Sequence, residues 1–304
     1  MNSKRSCPIC GAGPQEARSF LRGNVDQARL TEFSYASRKT PEYMNLDLVQ
    51  CPRCDLVYAD DPPSREDLAR AYHVADYDSA EEADDAAAAY ILAMQPLLKG
   101  LGRRDSVLEI GTGTGVFLEH LAQQGFTELV GVEPSSAAIA AAPPHRRAWI
   151  REGVFEEQNF APGSFDLICC FMTMEHVLDP RVVSVAAFRL LRPGGAFVTV
   201  THDYRGRINR LLGRRSPIID IEHMQLFSER SIRILFETTG YRDVRVERFV
   251  NRYSFHYWWR LAPVPGAVKR AGAKVAGVVH LDGMKLGLNV GNRMSSGVKP
   301  GPTK

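Results

Sequence analysis

The spacing of apolar residues changes several times along the chain, and the changes mark its elements. Residues 106–110, SVLEI, form a short apolar run of the kind that becomes a buried parallel strand. The run enters a turn containing Gly111, Gly113 and Gly115, after which Val116, Leu118 and Leu121 fall at helical spacing. A second apolar run, 128–132, ends at Glu133. Strand, glycine turn, helix and strand in that order predict the βαβ entry of a doubly wound α/β sheet. Upstream, residues 79–98 are rich in alanine, with Tyr90, Ile91, Met94 and Leu98 on one helical face and Pro96 expected to kink or loosen the last turn. Ser64 caps a shorter helix carrying Glu66 and Asp67 in its first turn. Downstream, Ser228 is an N-cap, Ile232, Leu235 and Phe236 give the stripe, and Gly240 is a C-cap.

The N-terminal stretch lacks such periodicity and is organised by cysteine. Cys7-Pro-Ile-Cys10 and Cys51-Pro-Arg-Cys54 are two CxxC pairs, each able to present two thiolates from one tight turn. Together they form a closed tetrahedral set suited to structural zinc. The alternative, a redox dithiol, needs a CxxC opening a helix. Here both pairs carry proline second and border loop or strand sequence. Cys169 and Cys170 lie in an apolar run and read as ordinary buried residues.

Composition adds mainly exclusions. A chain of 304 residues accommodates one large and one small domain. Its N-terminus is polar, with no apolar signal segment, and no apolar run approaches the roughly 20 residues of a spanning helix. A cytoplasmic protein is expected, with its six cysteines reduced or metal-bound. A net charge of +3 is too small to point to nucleic acid.

Candidate chemistry begins at the glycine turn. A dinucleotide fingerprint, GxGxxG/A, would need a small residue where Val116 stands. Glu109, two residues before the turn, would repel a pyrophosphate but favours the ammonium of an amino-acid cofactor. Glu133, at the tip of the next strand, is placed to accept ribose hydroxyls. A ribose, a cationic sulfonium and an amino group together describe S-adenosylmethionine.

With Glu109-x-Gly111-x-Gly113-x-Gly115 and Gly131-Val-Glu133-Pro134 in place, the chain resembles the class I S-adenosylmethionine-dependent methyltransferases. The resemblance continues through 164–168 (SFDLI), 174–180 (MEHVLDP), 191–195 (LRPGG) and a strand over 196–201, and covers about 64–250. It implies a Rossmann-like, doubly wound, seven-stranded sheet. It places Glu109 near the methionine end of the cofactor and Gly111, Gly113 and Gly115 in the cofactor turn. Glu133, followed by Pro134, is placed at the ribose, and Phe155 at the adenine. Phe171 and the segment to His176 become the wall near the sulfonium. Val154 departs from the pattern, which often has an acidic residue there for the adenine amino group. Cys51 to Tyr58, followed by a tyrosine-rich bridge, is similar to methyltransferases with an N-terminal zinc ribbon, many of which act on sugars or natural-product intermediates. The sugar C-methyltransferases among these carry a further C-terminal domain for which this chain is too short. The expected division is a zinc-ribbon-like module over 1–62, a helical bridge over 63–100, the cofactor-binding core over 101–250, and a cap with late strands over 251–304.

On the acceptor side, His202 follows the strand over 196–201, and His223 lies in a segment able to fold back over it. An alcohol nucleophile benefits from a base, and histidine titrates near neutrality. His223 is the first candidate and His202 the second, against the plain alternative that each fills a structural hydrogen bond. Arg205, Arg207, Arg210, Arg214 and Arg215 are either a solvated face or a phosphate-binding set for an acceptor such as a nucleotide sugar. Tyr72 and Tyr77 are either packing aromatics or a lid over the cofactor. Residues 253–259 are aromatic-dense and precede a segment read as a hydrophobic pocket cap in preference to an interfacial helix, with late strands over 284–290 and 293–299 expected to pair around 289–292. The expected activity is O-methylation of a sugar, nucleotide sugar or natural-product intermediate. The alternative is methylation of an RNA base, with the cysteine module as substrate-binding finger.

Overall fold

A computed structural model describes residues 4–31, 34–35, 42–75, 80–255, 258–259 and 285–301. Tyr77 and most of the segment read as a C-terminal cap lie outside these residues.

The N-terminal module has three short strands, β1 (Arg18–Leu21), β2 (Leu48–Gln50) and β3 (Val57–Ala59). The bridge follows as α1 (Arg65–His73) and α2 (Ala80–Gly100). Ser64 accepts the Asp67 amide as the N-cap of α1, as its sequence predicts. Helix α2 continues through Pro96 to Gly100. The backbone hydrogen bond that proline removes is offset by burial of Met94, Leu98 and Leu101 on both sides of it.

The α/β core then alternates β4 (Ser106–Ile110), α3 (Val116–Gln123), β5 (Glu128–Glu133), α4 (Ser136–Ala141), α5 (Pro144–Arg147), β6 (Ile150–Glu152), β7 (Phe165–Phe171), α6 (Pro180–Leu190) and β8 (Leu191–His202). It closes with α7 (Arg207–Leu212), β9 (Gln225–Leu226), α8 (Glu229–Thr239), β10 (Arg242–Ser254) and β11 (Lys285–Val298). The seven-stranded sheet has the order β10-β11-β8-β7-β4-β5-β6. Strands β8, β7, β4, β5 and β6 are parallel, while β11 runs antiparallel to both its neighbours. The chain winds outward from β4 through β5 to β6, then crosses back to β7. The strand order therefore reverses between β4 and β7, and the crevice at their carboxyl ends is the ligand position of such sheets.

Two apolar layers cover the sheet. On one, Phe197 of β8 stacks with Phe236 of α8 at 5.3 Å and with Tyr241 at 5.8 Å. On the other, Tyr90 of α2 meets Phe171 at 4.4 Å and Phe249 at 5.2 Å. Helix α8 is oriented by reciprocal capping between Ser228 and Ser231 and ends at Gly240, φ +109°. Each such cap contributes about 1 kcal/mol.

The C-terminal strands differ from expectation. No hairpin forms around 289–292. The segment is one strand, β11, inserted between β8 and β10, and its register with β10 shifts opposite 249–251. Gly291, φ +92°, takes up the irregularity. Partners on both sides sustain the poor strand formers Ser295, Ser296 and Gly297. Gly297 also permits close packing, since a Cβ there would lie 2.7 Å from Tyr241 Cβ. Strand β10 crosses the boundary expected at residue 250.

Candidate active site and cysteine centre

The turn after β4 holds Gly111, Gly113 and Gly115 at φ +76°, +56° and +69°. A Cβ on Gly111 would stand 2.3 Å from Thr173 Oγ1, so both conformation and space demand glycine there. The turn brings the two carboxylates of the sequence reading together at one crevice. Glu133 accepts the Gly113 amide at 2.7 Å and the Ser135 amide at 2.9 Å. Burial raises its pKa while those amides oppose the shift. Glu109 is buried on β4 and accepts a hydrogen bond from Thr112 Oγ1. Burial, opposed by Thr112 and reinforced by Glu133, pushes its carboxyl up to about 8. Such an acid is poised to ionise against an incoming cation.

Both carboxylates line a cavity of about 880 Å³. Gly111, Gly113, Pro134, Phe155, Phe171 and His176 line it too. Val154 stands in the wall as well, and Glu156, Glu157 and Gln158 follow Phe155 around it. Gly115 does not line the cavity. It is the N-cap of α3, where a Cβ would meet Arg146 at 3.4 Å, so its contribution is to the turn alone. Thr112, the hydroxyl on Glu109, was not singled out from sequence. A small polar residue inside a glycine turn carries no distinguishing pattern.

Across the cavity stand three histidines. The His223 ring lies 4.8 Å from that of His176 and 5.4 Å from that of His202. The tautomers of two of them follow from their partners. His223 Nδ1 is 2.8 Å from the Ile218 carbonyl, which only accepts, so Nδ1 carries the proton and Nε2 is the basic nitrogen. His202 Nδ1 is 2.8 Å from Asn292 Oδ1, while Asn292 Nδ2 donates to Asn251 Oδ1 at 2.9 Å. The donor and acceptor order along this chain leaves His202 Nε2 basic also. Burial lowers the His202 pKa to about 4, with Asn292 opposing, so the ring is neutral at pH 7. Asn251 and Asn292 come from β10 and β11, and their approach to β8 depends on strand insertion that no local pattern announces.

Tyr72 Oη lies 3.3 Å from His176 Nδ1, and Tyr35 packs edge-on to Tyr72 at 5.9 Å. Tyr35, Tyr72, Glu222 and Arg65 all line the cavity, as do Ile208, Leu212, Pro217, Ile218 and Trp258. The arginine loop does not. Among the described residues, Arg205, Arg207, Arg210, Arg214 and Arg215 are all exposed and none lines the cavity. Arg205 instead forms a two-pronged ion pair with Asp55. Their exposure agrees with the solvated-face reading and not with a phosphate-binding set in the pocket.

The four cysteines form a second centre. The Sγ atoms of Cys7, Cys10, Cys51 and Cys54 all lie within 4.8 Å of one another. Cys7 and Cys54 approach to 3.4 Å, and Cys10 and Cys51 to 3.5 Å. Tetrahedral zinc with Zn–S near 2.3 Å separates its sulfurs by roughly 3.8 Å, so the donor set fits. The two turns are built alike. The Cys7 amide donates to Ala12 O at 2.9 Å and the Cys51 amide to Leu56 O at 2.8 Å, and the fifth residues, Gly11 and Asp55, are left-handed at φ +71° and +70°. Burial raises the Cys10 thiol to about 11, and the bond to Cys7 raises Cys54, so crowded thiols resist joint ionisation unless a cation balances them. Cys169 and Cys170 lie fully buried in β7.

Comparison with known proteins supplies the family. The methyltransferase domain family matches residues 79–246. A ubiquinone biosynthesis O-methyltransferase of Pseudomonas fluorescens is 32% identical over 118 residues, 35% of this chain and 49% of that protein. One of Pseudomonas aeruginosa is 37% identical over 98 residues, 29% of this chain and 40% of that protein. The match thus spans about half the length of these curated relatives or less. Among solved structures, a methyltransferase from Thermotoga maritima described as a possible histamine N-methyltransferase superposes with a TM-score of 0.46 and 20% identity, over 70% of this chain and 91% of that one. The reversed strand order, the glycine turn between two buried carboxylates and the family match over 79–246 place this chain in the methyltransferase domain family, with the α/β fold of the class I enzymes.

Proposed function

We propose that the chain transfers a methyl group from S-adenosylmethionine to a hydroxyl oxygen of a small biosynthetic intermediate. The observation carrying this reading is the pairing, in one cavity, of a carboxylate-flanked glycine turn with histidines whose basic nitrogen is Nε2. When bound, S-adenosylmethionine supplies an activated methyl on a cationic sulfur. Glu133 would hold the ribose hydroxyls, Glu109 would ionise against the amino group, and Phe155 would pack on the adenine. The walls from Phe171 to His176 exclude water near the sulfur. His223 Nε2, with His202 second, would receive the proton of the acceptor hydroxyl as its oxygen takes the methyl carbon and the sulfur–carbon electron pair leaves with the neutral thioether product. Because the donor is already activated, alignment contributes most of the acceleration and the base a further factor of about 10². The apolar wall of Ile208, Leu212, Pro217 and Trp258 favours an acceptor with a hydrophobic body. The oxygen-directed relatives support oxygen as the methylated atom.

The test is incubation with methyl-labelled S-adenosylmethionine and a panel of phenols, sugars and nucleotide sugars. Mass spectrometry of the labelled products should show methyl ethers, with phosphate-free acceptors used as well as phosphorylated ones. Label found only on carbon or nitrogen contradicts the assignment. For the cysteine centre we propose one structural zinc held by Cys7, Cys10, Cys51 and Cys54, a closed site that does no chemistry itself.

A further inference from the structure

The sheet of the N-terminal module is completed by a strand from the α/β core. Its order is β1-β2-β3-β9, with β3 antiparallel to β9 through Val57 opposite Leu226 and Tyr58 opposite Gln225. The Ala59 amide extends this ladder to Met224 O at 2.9 Å. The two residues immediately before Met224 are Glu222 and His223, both in the cavity wall. On its other side the same segment is held to the loop that follows β7. The Met224 amide donates to Glu175 O at 2.8 Å, and Gln225 Nε2 donates to Met174 O and Val177 O, both at 2.6 Å.

A second tie starts at the metal turn itself. Asp55, next to Cys54, accepts Arg205 Nε at 2.6 Å and Tyr204 Oη at 2.9 Å. Tyr204 and Arg205 follow the β8 end that carries His202. A third tie comes from the stretch between the two CxxC pairs. The Glu42 amide donates to Asp220 Oδ2 at 3.1 Å, and Tyr35 itself lines the cavity. The turn bearing Cys51 and Cys54 joins β2 to β3, so the metal site closes the hairpin whose second strand carries β9.

We propose that the cysteine module is a positioning element for the acceptor side of the cavity. Metal at the four thiolates orders β3, and β3, through β9 and the Asp55 tie, fixes Glu222 and His223. The cofactor side, built by β4, β5 and β6, takes no strand from the module and meets it only through the shared apolar cluster of Ile9 and Tyr58 with Leu108, Ile110 and Val132 and through the loop at 174–177, so it depends on the module less. This inference rests on the reading of the two sides and of the zinc centre given above.

The experiment is hydrogen–deuterium exchange on the full chain, zinc-loaded and chelator-stripped, with S-adenosylhomocysteine as the binding probe. Stripping should accelerate exchange over 218–227 by about tenfold or more while 106–135 is unchanged, and affinity for the probe should stay within about threefold. Equal protection of 218–227 in protein that has lost its zinc overturns the proposal. So does equal acceleration in both regions in a stripped protein that remains folded, or a purified chain holding no metal. Should stripping unfold the whole protein, Asp55→Asn decides. It keeps the four thiolates, so faster exchange at 218–227 with zinc and probe binding intact supports the proposal, and unchanged exchange overturns it. A zinc-loaded wild-type chain that does not bind S-adenosylhomocysteine fails on the cofactor reading instead, which the exchange pattern does not touch.

Discussion

Glu109 offers the sharpest quantitative consequence of the pocket's electrostatics. Its carboxyl, pushed up to about 8 by burial, is mostly protonated at pH 7 in the empty protein. A ligand ammonium alongside it favours the ionised form, so binding expels a proton. With a free pKa of about 8 and a bound value at least three units lower, about 0.9 proton leaves per ligand at pH 7, and affinity rises about ninefold between pH 6 and pH 7. The size of the contact follows from opposing effects. An ammonium about 4 Å from the carboxylate gains about 4 kcal/mol at an effective dielectric of 20. Ionising an acid of pKa about 8 at pH 7 costs about 1.4 kcal/mol. The net of about 2.6 kcal/mol corresponds to an affinity about 80-fold weaker in Glu109→Gln. Isothermal titration with S-adenosylhomocysteine in buffers of different ionisation enthalpy reads proton release and affinity together. Glu109→Gln should lose both the buffer dependence and the rise with pH. Wild-type binding without proton release, or a variant within threefold of wild type, refutes the argument. The same shift governs folding of the empty protein. A carboxyl whose folded pKa is raised favours the folded state below its unfolded pKa of about 4.5, and that contribution is lost as pH rises through about 8.

Other consequences follow at separate places in the molecule. Gly111→Ala forces a Cβ onto Thr173 at a left-handed φ, so thermal unfolding should show a loss of about 2–4 kcal/mol and cofactor binding should fall sharply; an unperturbed variant would mean the turn relaxes freely. Asn292→Ala removes the acceptor that fixes the His202 tautomer, so kcat should drop about tenfold or more with S-adenosylhomocysteine affinity unchanged. An Asn251→Ala variant with the same kinetic signature would extend the chain, whereas unchanged kcat in Asn292→Ala removes His202 from the chemistry. Metal analysis should find about one zinc per chain, and chelation should lower the melting temperature by several degrees; a metal-free chain with an undiminished melting temperature contradicts the zinc assignment.

What the sequence disclosed was local chemistry at characteristic spacing. The strand over 106–110, the three glycines, Glu133 at the next strand tip, the caps at Ser64, Ser228 and Gly240 and the two CxxC turns each occupy a few adjacent residues, and each stands where its pattern places it. What stayed hidden depends on partners distant in the chain. Strand β9 is two residues long and exists only because β3 lies beside it. Strand β11 contains serines and a glycine that no propensity favours, yet it is sustained by β8 and β10 on either side. Asn292 and Asn251 reach the cavity through the β8–β11–β10 pairing, and Tyr35 through its packing on Tyr72. Charge spacing alone left the arginines open between a solvated face and a phosphate-binding set, because it records a cluster without its direction, and here the cluster faces solvent except where Arg205 meets Asp55.

A crystal structure of the chain with S-adenosylhomocysteine tests the account most directly. The ribose hydroxyls should lie within hydrogen-bond distance of Glu133, the amino group near Glu109, and the sulfur should face the cavity shared by His202 and His223. Ligand bound elsewhere, or a dinucleotide from the expression host seated across Gly111 and Gly113, contradicts it.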